Sequence, residues 1–150
     1  MKAVGPLGGR FVSDPDHLAL TRLVTEAAWR VDLGKAGTLY ELFTPEGELN
    51  LGSSTLSGHD AIRQWGEAYD ADNPRQRIRH VCGNMRFVTD GDDRAVGATI
   101  LTVFMDEGEG PGRTLPWTVG EDHDRFRRTD DGWRITSREW VTLFLRPGGG

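Results

Sequence analysis

The sequence predicts an α+β domain in which helices come first and long antiparallel strands follow. Two observations carry that expectation. Apolar residues recur at helical spacing only before residue 72, and from residue 76 onward β-forming runs alternate with Gly/Asp turns. Helices segregated on one face of such a sheet make a two-layer fold. A strongly curved, mostly antiparallel sheet with three N-terminal helices across its mouth would enclose a pocket lined by both layers.

Residues 1–12 are Gly-rich and aperiodic and are expected to form a flexible arm; residues 13–146 form the single domain, and 147–150 a flexible tail. Helix one is expected over residues 16–33. Asp14 and Pro15 suit its start, Leu20, Leu23, Val24, Ala27 and Val31 form its buried stripe, and Gly34 ends it. A short second helix is expected over 35–43, stopped by Thr44-Pro45, and a strand over 46–52. Ser57 opens a third helix with Asp60 as its capping partner and Ala61, Ile62, Trp65 and Tyr69 as its apolar face. Asp72-Asn73-Pro74 ends it.

Residues 76–105 then read as two strands joined at 89–93, where Gly91 is free to take a positive φ. An acidic Gly/Pro loop spans 106–116. Two further strands over 117–128 and 133–145 meet at the Asp131-Gly132 turn.

Composition narrows the function. The chain has 150 residues, 37% apolar and 27% charged, with a formal charge of −5. That balance argues against a broad nucleic-acid or anionic-membrane surface. No apolar run is long enough to span a bilayer, and no signal-peptide core stands at the N-terminus. The one cysteine, Cys82, fits a reducing, cytoplasmic setting and reads as apolar filler. No His/Cys/Asp/Glu spacing suggests a metal, and no Gly-rich loop a phosphate cofactor.

His80 is the first candidate for chemistry. Ile78 and Cys82 share its strand face, so a titratable ring stands on an apolar surface. Asp122 and Asp124 share a face with Phe126, and that face is expected to point inward. Asp122 is a candidate second acid, and Asp124 is expected to pair with an arginine on a neighbouring strand. His17 and His59 are expected at the surface, and Asn84 on the face of His80 in a structural role.

Several phrases resemble the SnoaL-like branch of the nuclear transport factor 2-like (NTF2-like) superfamily. They are Val31-Asp32-Leu33-Gly34, Leu39-Tyr40-Glu41-Leu42-Phe43-Thr44-Pro45-Glu46, Ser57-Gly58-His59-Asp60-Ala61-Ile62, Arg79-His80 with Asn84, and the stretch 120–128 ahead of Asp131-Gly132-Trp133. The resemblance implies a cone-shaped fold. Its relatives include polyketide cyclases, scytalone and bile-acid dehydratases, ketosteroid isomerase, limonene epoxide hydrolase and non-catalytic dioxygenase β subunits. It also implies that His80, oriented by Asp32 at the end of helix one, is the general base/acid.

Two departures weaken a dehydratase. Ala27 stands where the bile-acid type has a tyrosine, and residues 95–105 hold no His, Asp or Tyr. The expectation is therefore a cofactor-free cyclase, isomerase or lyase acting on a small apolar polyketide, terpenoid or aromatic molecule. A non-catalytic ligand-binding or structural partner and an epoxide hydrolase are the alternatives. Trp29, Phe43, Trp65, Tyr69 and Trp117 are expected to line its pocket. Leu143, Phe144 and Leu145 point to a homodimer through the outer sheet face.

Overall fold

The computed structural model describes residues 8–148. Helix α1 (Asp14–Asp32) opens the domain. Its N-cap is Ser13, whose hydroxyl accepts from the Asp16 amide, so the cap lies one residue before the expected Asp14. Leu20, Leu23, Val24 and Ala27 bury its stripe, and Gly34 leaves it with φ +70°. A 3₁₀ segment (Ala36–Leu42) follows, then strand β1 (Phe43–Asn50), a short β2 (Thr55–Ser57) and helix α2 (Gly58–Asp72). The remainder is β3 (Gln76–Thr89), β4 (Arg94–Glu107), β5 (Thr118–Thr129) and β6 (Gly132–Leu145).

These strands form one curled, unclosed sheet in the order β2-β1-β6-β5-β4-β3, antiparallel except where β1 runs parallel to β6. Three helices packed on a mostly antiparallel curved sheet is the α+β architecture expected.

Local expectations fail where the chain bends. The 3₁₀ segment ends before Phe43, and β1 continues through Pro45, because the register with β6 shifts between Phe43 and Glu48. A proline, which cannot donate to a ladder, is tolerated at such an irregularity. Ser57 does not form a capping box; its hydroxyl reaches Glu48, and Asp60 pairs with Arg63. Of the expected N-terminal arm, residues 1–7 lie outside the described residues. Phe11 bridges to Val88, and the Val12 amide donates to the Phe87 carbonyl, so this end is stitched to β3. In the tail, residues 149–150 lie outside the described residues.

The helices are held over the sheet by polar clamps. Asp70 of α2 accepts from the amides of Ala36 and Gly37 at 3.1 and 3.0 Å, capping the 3₁₀ segment from outside. Gly66 permits that approach, since a Cβ there would lie 2.1 Å from the Ala36 carbonyl oxygen. The main core joins α1, α2, β1 and the turn-proximal half of the sheet through Leu20, Ile62, Phe87, Phe126 and Ile135. A smaller cluster of Ile78, Leu101 and Val103 lines the other half. Between the helices and that half lies a cavity of about 310 Å³.

Candidate active site

Strand β3 is one edge of the sheet, and beyond the stretch that Phe11 and Val12 meet its backbone groups need covering. Asp32, the last residue of α1, covers it. Its Oδ2 accepts from the backbone amide of His80 at 3.0 Å, and its Oδ1 meets His80 Nδ1 at 2.6 Å. Arg79 donates to the Asp32 carbonyl oxygen and lies over the ring of Trp29. The Asp32 carboxylate is 3% exposed and the His80 side chain 18% exposed. A carboxylate at a helix C-terminus opposes the helix dipole, and two donors from His80 offset that cost. With Nδ1 committed to Asp32, Nε2 is the nitrogen left for the cavity that His80 lines.

Asp122 of β5 also lines the cavity, and it is 6% exposed. Its partner is Arg138 of β6, whose Nη1 lies 3.3 Å from Asp122 Oδ2. The same guanidinium donates two 2.7 Å bonds through Nε and Nη2 to Asp124, the structural pairing expected of that residue. Burial pushes the Asp122 carboxyl up to about 6, with Asp124 adding to the rise and Arg138 and His80 opposing it. Arg138 is held above its usual range by the two carboxylates, despite burial. The cavity thus has a histidine–aspartate clamp on one wall and a buried Asp–Arg–Asp cluster on another.

The remaining walls are apolar, contributed by Val24, Ala28, Leu49, Leu101, Val103 and Met105 among others. Of the aromatics expected there, Trp65, Tyr69 and Trp117 line the cavity. Tyr69 stacks at a tilt on Trp65 and donates its hydroxyl to Gln76; burial, with nearby Asp32 and Asp70, raises its pKa. Trp117 carries the Arg146 guanidinium on its face.

Trp29 and Phe43 are not cavity residues. Trp29 lies off the buried stripe and is 52% exposed, and Phe43 is core, paired with Ile135 at the start of β1. Asn84 is exposed at φ +46°, where a bulge between Gly83 and Arg86 breaks alternation and turns it away from His80. His59 is not free at the surface; its Nε2 lies 2.8 Å from the Phe43 carbonyl oxygen.

Among the cavity residues that had no place in the sequence expectation are Arg138 and Trp140. Strict alternation from Trp133 and Ile135 puts both on the outer face. A bulge in β6 at Thr136, opposite Arg125 and Phe126 of β5, turns them inward. The signal was the expected arginine partner of Asp124, without its number. Among the described residues no group of three or more His, Cys, Asp or Glu is placed to hold a metal.

No curated protein matches the chain. Solved structures share its fold. An NTF2-like protein with a cystatin-like fold from Novosphingobium aromaticivorans is 27% identical over 90% of this chain and 86% of that one, with a TM-score of 0.69. Aln2 from a Streptomyces species is 20% identical over 89% of this chain and 94% of that one, with a TM-score of 0.76. Rv3472 from Mycobacterium tuberculosis, described as of unknown function, is 21% identical over 92% and 82%, with a TM-score of 0.74. Residues 15–139 match the SnoaL-like domain. The chain belongs to the SnoaL-like family, within the NTF2-like superfamily.

Proposed function

We propose that the chain is a cofactor-independent acid–base enzyme acting on a small, largely apolar polyketide, terpenoid or aromatic molecule. The reaction class is proton transfer next to a carbonyl, leading to cyclisation, isomerisation or elimination. The observation that carries this reading is the Asp32–His80 clamp at the cavity wall. An imidazole with one nitrogen fixed to a carboxylate keeps its other nitrogen available to take a proton, and the carboxylate stabilises the cation that forms. Asp122, its carboxyl raised to about 6, supplies a proton at mildly acidic pH, and Arg138 steadies charge that develops on a substrate oxygen. Apolar walls hold the substrate in one reactive conformer.

The Asp122–Arg138–Asp124 cluster favours a second reading, hydrolysis of a strained cyclic ether, where Asp122 protonates the ring oxygen as it leaves. Isotopes separate the two. Bicyclic and tricyclic ketones incubated in D₂O exchange their α-protons on the first reading, and His80→Ala and Asp32→Asn slow the exchange at least about tenfold. Cyclic epoxides in H₂¹⁸O take up oxygen-18 on the second. Equal exchange by the wild type and both variants removes the acid–base assignment.

We further propose a homodimer through the outer sheet face, where Val81 and Phe144 are exposed. No helix among the described residues is long and apolar enough to cross a membrane. The single half-buried thiol of Cys82, pushed up to about 11 by burial, suits a cytoplasmic protein.

A further inference from the structure

We propose that Trp140 sets the size of the ligand the cavity takes, its indole forming a wall that limits occupants to about three fused rings. The inference rests on the cavity being the site of the acid–base chemistry above. Trp140 pairs in register with Asp122 and stands two residues from Arg138, so its ring lies beside the polar end of the cavity. It does not stay on its own strand. A Cβ on Gly120 of β5 would fall 2.6 Å from Cζ2 and Cη2 of the indole, the far edge of the six-membered ring. The ring therefore crosses β5 over a glycine and packs against the cluster of Ile78, Leu101 and Val103 on the next two strands. Its Nε1 donates to Thr142 Oγ1 at 2.8 Å, which fixes its orientation.

Three features hold the indole flat on the concave face: a missing side chain beneath it, a hydrogen bond at one edge and an apolar bed at the other. A flat polar-edged aromatic in this place is both a stacking surface for a planar ligand and the limit on its reach. The cavity of about 310 Å³ is at the small end of ligand sites. At interior packing density it holds roughly 230 Å³ of ligand atoms, more than a three-ring aryl alcohol fills and less than a four-ring steroid needs. Removing the indole joins the space over Gly120 to that cavity, next to the groups that hold a ligand's oxygen.

The test uses three fluorescent aryl alcohols of two, three and four fused rings, the last of them bulkier than the cavity: 2-naphthol, 2-anthrol and equilenin. Dissociation constants are measured by fluorescence titration for the wild type, Trp140→Ala and Trp140→Phe. The wild type is expected to prefer the two- and three-ring compounds. Trp140→Ala should shift the ratio of four-ring to two-ring affinity by at least about tenfold, with Trp140→Phe between. Thr142→Val, which frees the indole N–H without removing the ring, should weaken the three-ring compound and leave the four-ring one still disfavoured. An unchanged ratio in folded Trp140→Ala and Trp140→Phe, or no binding of any of the three compounds, overturns the proposal. A normal size shift with no dependence of proton exchange on His80 would sink the acid–base reading and leave this one standing.

Discussion

Asp32→Asn is the substitution with the most to say, because it preserves shape and removes one acceptor. The carboxylate accepts two bonds from the same residue, at 3.0 Å from the His80 amide and 2.6 Å from its ring. A carboxamide can accept only one and brings an N–H to the other. With its oxygen on the edge amide, its N–H faces Nδ1. The ring proton must then move to Nε2, and the cavity loses its base. With its oxygen on the ring, the His80 amide is stranded on a covered sheet edge, at a cost of about 1–3 kcal/mol.

Removing a negative charge from the end of α1 returns about 0.3–1 kcal/mol. The net is a loss of roughly 1–2 kcal/mol, which for a domain of this size lowers the melting temperature by about 3–8 °C. The catalytic loss should be larger, between about 10²- and 10⁴-fold in proton exchange, since oriented acid–base help is removed altogether. Thermal melts and exchange rates by NMR read the two effects separately. An Asp32→Asn protein that exchanges within about threefold of the wild type would refute the coupling of the two side chains.

Three further substitutions address the rest of the site and its frame. Asp122 has a folded value of about 6 against an ordinary value of 3.8, so it binds its proton more tightly when folded. The stability this confers is full below the unfolded value and lost as pH rises through about 6. Asp122→Asn should therefore gain on the wild type in melting temperature between about pH 4 and pH 6, and a difference independent of pH would contradict the shift. Arg138→Met leaves two buried carboxylates without their cation and should cost about 3–5 kcal/mol in urea denaturation; a loss below about 1 kcal/mol would show that the cluster is not closed. Gly66→Ala puts a methyl 2.1 Å from the Ala36 oxygen and should force α2 off the 3₁₀ segment, with a loss of at least about 2 kcal/mol. Wild-type stability there would disprove the close approach.

How far the sequence spoke for itself depends on where the backbone stays regular. Leu20 to Val31 repeat every turn, and α1 follows them; Gly91 marks the β3–β4 turn and stands at φ +102°. His80 and Asp32 lie early in a strand and at the end of a helix, where period and position can be read. Their meeting came from the family resemblance, because nothing in composition tells a helix end which strand edge it will cover.

Arg138, Trp140 and Asn84 escaped because bulges in β6 and β3 switch the face on which each side chain emerges. A one-residue slip turns an apparent outer arginine into a buried one. Phe43 pairs with Ile135 at the start of β1 and goes to the main core, and Trp29 stays outside through its position off the buried stripe.

The proton on one ring decides most of the proposed chemistry. Long-range ¹H–¹⁵N NMR of the wild-type protein at alkaline pH, with His80 assigned by comparison with His80→Ala, reads which nitrogen carries it. A proton on Nδ1, donated to Asp32, with a bare Nε2 turned to the cavity is the result expected. A neutral ring protonated at Nε2 would mean that Asp32 does not hold the imidazole as a base.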